Sequence, residues 1–262
     1  MKVLTTATTT DEAERAAKVA VLPIGSFEQH GGHLPLTTDT LVASGIAHAL
    51  AEEYQLLLLP PITIACSHEH AGWAGTVSIS SRTLAAIINE VAESLERSGI
   101  EYLVLVNGHG GNYVLSNVVQ EANVDRPRMA LYPGREDWAR ARHAAELSSS
   151  AHDDMHAGEI ETSILLYLCP EQVRNSYKHA DHVADRPHLL IHGVSAYTPN
   201  GVIGQPSLAT AEKGAAILAN LTATFIATLK ALQDNPSANG PRKSPASGRR
   251  IQQPGPSRRS GH

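Results

Sequence analysis

Residues 102–112 read YLVLVNGHGGN. Tyr102 to Val106 are apolar without alternation, the pattern of a parallel strand covered on both faces. Asn107 and Gly108 end the run, and a histidine follows in a glycine-rich turn. Three other runs share this character: VAVLPI at 19–24, LLLLPP at 56–61 and RMALYPG at 128–134. Between and after them, apolar residues recur at three- and four-residue spacing. That spacing predicts helices over 39–53, 81–100, 112–123, 135–147, 160–168 and 210–232. Strand and helix alternate, so the expected fold is one α/β domain: a mostly parallel central sheet flanked by helices. Ligands bind such sheets beyond the carboxyl ends of the strands, and the polar motifs of this chain follow its strands.

The chain has 262 residues, 42% hydrophobic and 18% charged, which excludes a wholly disordered polymer. Its two cysteines, Cys66 and Cys169, are far apart, which excludes a disulfide scaffold and a cysteine metal site. No apolar run approaches the roughly 20 residues that span a bilayer, and the N-terminus lacks an export signal. The expectation is a cytoplasmic protein with no membrane partner. From Asn235 onward the chain is rich in Pro, Ser and Gly, with six Arg or Lys and no acid. Residues 235–262 read as a disordered basic tail, leaving 1–234 as the folded domain. That domain keeps 15 basic against 26 acidic residues, which argues against a nucleic-acid partner. No dinucleotide fingerprint, Walker sequence or nucleophile elbow occurs. Histidines number 14 against 2 phenylalanines, an excess that points to chemistry.

Four motifs carry that chemistry. GSFEQHGGHLPLTTD at 25–39 follows the first strand. Glu28 and His30 are two apart, so an extended segment projects them from one side, and Asp39 opens the next helix. Two carboxylates and an imidazole form a donor set suited to Zn, Mn or Fe. Asp39 alone also reads as a helix cap. NGHGGN at 107–112 holds His109 at a strand end, and its glycines would also suit an anion-binding turn. HAGEIETS at 156–163 brings His156, Glu159 and Glu161 to the start of an apolar helix, where charge is costly unless coordinated or paired. SHEHAGWAGT at 67–76 offers two histidines around a glutamate, either as ligands or, by preference, as pocket wall.

In order and spacing over residues 15–235, these four motifs resemble the creatininase (creatinine amidohydrolase) family. The resemblance implies a single α/β domain, two divalent metal ions, hydrolysis of a C–N bond in a small amide, and a ring-like homo-oligomer, commonly a hexamer. It places Glu28 on one ion and His30 on the other, with Asp39 bridging and His109 as a further ligand. His156 corresponds to the general acid/base, and Ser67 and His70 are expected to line the substrate pocket. Creatininase proper carries a glutamate ligand two residues after the NGH histidine, where this chain has Gly111. Glu161 is the expected replacement and Glu159 the alternative, because residues two apart on a helix face different ways. Creatininase proper also covers its substrate with a tryptophan before the catalytic histidine, where this chain reads HDDM. The HGGN form is shared with relatives that include a deformylase and a peptidase.

Two other readings use the same residues. A metal-dependent lyase or isomerase would employ the ions to stabilise an enolate. A non-catalytic family member would serve as a binding subunit; the complete set of candidate ligands disfavours it.

Overall fold

The structure, a computed structural model, describes residues 4–234; the tail expected over 235–262 lies outside the described residues. The elements in chain order are α1 (Thr9–Arg15), β1 (Val19–Ile24), α2 (Thr38–Tyr54), β2 (Leu57–Leu58), α3 (Ser81–Arg97), β3 (Tyr102–Asn107), α4 (Val114–Ala122), β4 (Met129–Tyr132), α5 (Arg135–Ala144), α6 (Glu159–Leu168), α7 (Leu189–His192) and α8 (Ala211–Gln233), with short 3-10 turns between them. The sequence reading had no element at α1. Its signal is the Thr8–Asp11 capping box, in which each residue's side chain accepts from the other's backbone N–H.

The strands form one parallel sheet in the order β2-β1-β3-β4. Alternation along β1 divides the core. Val19 and Val21 face one side, where they meet α2, α5, α6 and α8; Ala20, Leu22 and Ile24 face the other, against α3 and α4. Helices therefore cover both faces, which is why the strands read as continuous apolar runs. The expected strand at 56–61 narrows to Leu57–Leu58, since Pro60 and Pro61 have no N–H to donate.

The final helix corrects one sequence expectation. Over an 18-residue window α8 has mean hydropathy 1.6, so by length and composition it is long and apolar enough to cross a membrane. Its apolar stripe, Ile217, Leu218, Leu221 and Phe225, is buried in the core beside α2 and α6. Core packing accounts for the stripe.

The register of β1 and β3 pairs Val19 with Tyr102 and Ile24 with Asn107, so both strands end level and turn at Gly25 and Gly108. The N-terminus of α2 is wedged between those turns. A Cβ on Gly25 would stand 2.4 Å from the backbone of Thr40, and one on Gly108 would stand 2.3 Å from the carbonyl of Asp39. Only glycine permits this approach, and the wedge carries Asp39 to the sheet edge. Because backbone rather than a flexible side chain blocks the space, Gly25→Ala should cost about 2 kcal/mol. The midpoint of urea unfolding measures it, with an unchanged slope showing that the denatured state is unaffected.

Candidate metal centre

Asp39 is the hub of the sheet edge, and it is 1% exposed. One oxygen, Oδ1, lies 3.0 Å from His30 Nε2. The other, Oδ2, lies 3.0 Å from His109 Nδ1 and accepts from Ser26 Oγ at 2.6 Å. The far nitrogen of each imidazole is held by a backbone carbonyl. His30 Nδ1 donates to Glu28 O at 3.1 Å, and His109 Nε2 donates to Cys66 O at 2.8 Å. Each ring thus turns its remaining nitrogen toward Asp39, the orientation that outer hydrogen bonds impose on metal-binding histidines.

Two further carboxylates complete the cluster. Glu28 is fully buried, and neither of its side-chain oxygens has a hydrogen-bond partner among the described residues. They lie 3.2 Å from His70 Nε2 and 3.2 Å from His109 Nε2. Glu161 stands 3.9 Å from His30 Nε2, and its second oxygen accepts from Ala157 N–H at 2.6 Å. Donor atoms converge within 4.8 Å of one another in three sets: Glu28, Asp39 and His109; His30, Asp39 and Glu161; and Glu28, His30 and His156. Asp39 belongs to the first two. An orphaned buried carboxylate among nitrogen and oxygen donors fits a divalent cation of the Zn or Mn type.

The electrostatics of the cluster favour protons on two of its imidazoles and raise the pKa of two of its carboxyls. Burial works against a charged His30, but Asp39 overrides it and carries the pKa up to about 10. His109 behaves the same way and reaches about 9. Burial would raise Asp39, yet the two imidazolium rings hold its carboxyl well below the usual range. Glu28 is pushed up to about 8 by burial and by the Asp39 charge, and burial takes Glu161 up to about 7. Cation uptake must displace these protons. Calorimetric titration with Zn or Mn should therefore show proton release that varies with buffer ionisation enthalpy, and affinity that rises with pH from about 6 to 9. Uptake without proton release would contradict this electrostatic picture.

Glu159 has a separate task. Its carboxylate accepts from the N–H groups of Ser148 and Ser149, from Ser149 Oγ and from Lys213 Nζ. Burial would raise its pKa, but Lys213 and the serine donors hold it below the usual carboxylate range. Its contribution to stability is thus present at neutral pH and lost as acid protonates it. The two glutamates diverge because α6 starts at Glu159, where Asp154 accepts from the N–H groups of Glu159 and Ile160 and is itself held by Arg142. Glu161→Gln should weaken one metal site at least about tenfold. Glu159→Gln should keep its metal and lose about 3 kcal/mol of stability by stranding Lys213. Metal titration and thermal melting of both variants separate the two roles.

The pocket differs from expectation in one residue. A cavity of about 280 Å³ opens on the cluster, lined by His70, His109, His156 and Glu161 together with Glu69 and Arg186. Ser67, expected on this wall, is instead fully buried beneath it, because its backbone turns there into the 3-10 segment His68–His70. Gly111 also gains an explanation. A Cβ there would stand 1.9 Å from Glu69 Oε1, so Glu69 occupies the space that a side chain at position 111 would fill.

Sequence reasoning missed Gln29 and Asn112. Gln29 lies between two candidate ligands and points to their opposite side, so alternation could have flagged it. His156 Nε2 donates to the Gln29 carbonyl at 2.7 Å. The two Gln29 amide protons then go to His70 Nδ1 and Gly201 O, each at 3.0 Å. Asn112 accepts from Cys66 N–H and donates to Gly25 O and Asn107 Oδ1, joining three motifs.

The sequence profile of the creatininase family, described as creatinine amidohydrolase, matches residues 4–229. The chain is 37% identical over 215 residues to the mycofactocin precursor peptide peptidase of Mycobacterium ulcerans, covering 77% of this chain and 80% of that protein. It is 28% identical over 226 residues to the creatinine amidohydrolase of Pseudomonas putida, covering 76% and 84%. The crystal structure of a creatinine amidohydrolase superposes with a TM-score of 0.73 at 25% identity, over 86% of this chain and 95% of that one. With its parallel sheet, its motif order and its convergent donors accounted for in this way, the chain belongs to the creatininase family of hydrolases.

Proposed function

We propose that this protein is a two-metal amidohydrolase that cleaves a C–N bond in a short peptide or small amide. The observation that carries the reading is the buried Asp39, whose two oxygens face two separate donor sets, each with a member, His109 or Glu161, on the wall of one cavity. Two divalent ions there would supply Lewis acidity and an acidified water. Glu28 and His109 with Asp39 would hold one, and His30 and Glu161 with Asp39 the other.

The remaining chemistry belongs to His156. Its Nε2 proton is committed to the Gln29 carbonyl, so Nδ1 carries the free lone pair, 3.8 Å from Glu28 Oε1. Burial and the His30 charge keep His156 well below its ordinary pKa, so it rests neutral. A neutral imidazole at the cavity wall accepts a proton from the attacking water and delivers it to the departing nitrogen. His70 is likewise neutral, pushed down to about 3 by burial and by His30. Its Nδ1 accepts from Gln29, which leaves the proton on Nε2, 3.2 Å from Glu28 Oε1.

The greater identity to a precursor-peptide peptidase than to a creatinine amidohydrolase favours a peptide substrate. The filled space beside Gly111 adds to this, because the pocket wall there is built from Glu69. The ring-like homo-oligomer implied by the family resemblance belongs to the same reading, and sedimentation of the full chain tests it.

Metal-loaded protein incubated with short peptides and small amides in heavy-oxygen water should place one label in each new carboxylate. Turnover that incorporates no label would instead support the lyase or isomerase reading. Asp39→Ala should lose both ions, by elemental analysis. His156→Ala should retain them and lose about 10²–10⁴-fold in turnover.

A further inference from the structure

Two cavities reach the cluster at His109, His156 and Glu161, and among the described residues Arg186 is the one lysine or arginine lining the cavity of about 280 Å³, as Arg142 is of its neighbour. Arg186 is half-buried, and its guanidinium has no carboxylate within 4.0 Å among the described residues. Its one hydrogen bond there is from Nη1 to the Ala184 carbonyl at 3.3 Å. The acids around it are engaged elsewhere. Asp185, next in the chain, pairs with His152 at 2.9 Å. Glu161 is held by Ala157 and His30, and Glu69 sits over Gly111 beside His109 at 3.6 Å. Arg142, on the neighbouring cavity, shows the contrast: it is satisfied by Asp154 at 2.8 Å and Ser149 Oγ at 3.0 Å. A half-buried guanidinium lining a cavity without a carboxylate partner has donors left to offer a ligand. Its fork of donors matches a planar or tetrahedral oxyanion.

We propose that Arg186 is the anion-recognition residue of this cavity, gripping a carboxylate or phosphate on the substrate while the scissile amide lies over the metal cluster. The substrate class is then an amide that carries an oxyanion one cavity-width from the bond to be cut; a peptide ending in a free carboxylate is the simplest member. Arg186 also offsets the negative field of Glu69 and Glu161, which would otherwise repel such a substrate. The assignment of the amide rests on the hydrolase reading above; the anion site does not.

The test uses the full metal-loaded chain. Succinate and inorganic phosphate are titrated separately by NMR or calorimetry into the wild type, Arg186→Gln, Arg186→Lys and the exposed control Arg82→Gln. One or both anions should bind the wild type and Arg82→Gln equally. Arg186→Gln should bind at least tenfold more weakly, and Arg186→Lys should fall between them, with melting temperature and metal content unchanged. Preference for succinate or for phosphate identifies the group. Equal binding by wild type and Arg186→Gln, or binding of neither anion by the wild type, overturns the proposal. In parallel, peptides with free carboxylate ends are compared with their carboxamide counterparts. Arg186→Gln should raise KM at least tenfold for the former only. Anion binding that depends on Arg186, with no hydrolysis of any amide, would sink the hydrolase reading and leave the anion site standing.

Discussion

A single buried carboxylate organises the sheet edge. Asp39 receives Ser26 Oγ and faces His30 and His109, which come from the turns after β1 and β3. Those turns share an edge because their strands pair in level register, and glycines at both turns let α2 approach between them. A carboxylate at this depth is tolerable only with positive charge beside it. Protonation of the two imidazoles supplies that charge, and a bound divalent cation would supply it in their place.

The histidines divide into two electrostatic classes although they stand within one cluster. His30 and His109 face carboxylates and are drawn toward the charged form, whereas His70 and His156 are buried beside those charges and are kept neutral. Rings of the first class suit cation binding; rings of the second suit proton transfer. Gln29 enforces the division geometrically. Its backbone carbonyl takes the His156 proton and its side-chain amide caps the His70 lone pair, so the tautomers of both neutral rings follow from one residue. His33 belongs to neither class. It is pushed down to about 4, chiefly by burial, and holds the Ala157 carbonyl at 3.1 Å, bracing the turn that delivers His156 and Glu161.

Much of the fold was legible along the chain. Continuous apolar runs marked the strands because a sheet covered on both faces needs no alternation, and the helices between them followed from their spacing. Glu28, His30, Asp39 and His109 were legible because acids and histidines near glycines that follow strands have few structural explanations; Glu161 was singled out over Glu159 only through the family resemblance. The basic tail was equally plain in composition, but residues 235–262 lie outside the described structure. Two expectations erred for local reasons. The turn at His68–His70 leaves Ser67 buried, and α8 carries more continuous apolar length than its interrupted pattern suggested, with one stripe of it packed beside α2 and α6.

By itself, then, the sequence determined the class of fold, the order of motifs and the kinds of atom gathered at one edge, since these depend on local pattern and on which side chains tolerate burial. It did not determine which of two glutamates two residues apart turns inward. Asp154, Arg142 and Lys213 decide that from three different segments. Nor did it reveal that Glu69 fills the space beside Gly111, or that Arg186 reaches the same cavity uncommitted. Such facts depend on residues that the chain separates, Lys213 from Glu159 by 54 positions and Arg142 from Asp154 by 12. Only the closed tertiary structure brings them within hydrogen-bonding range.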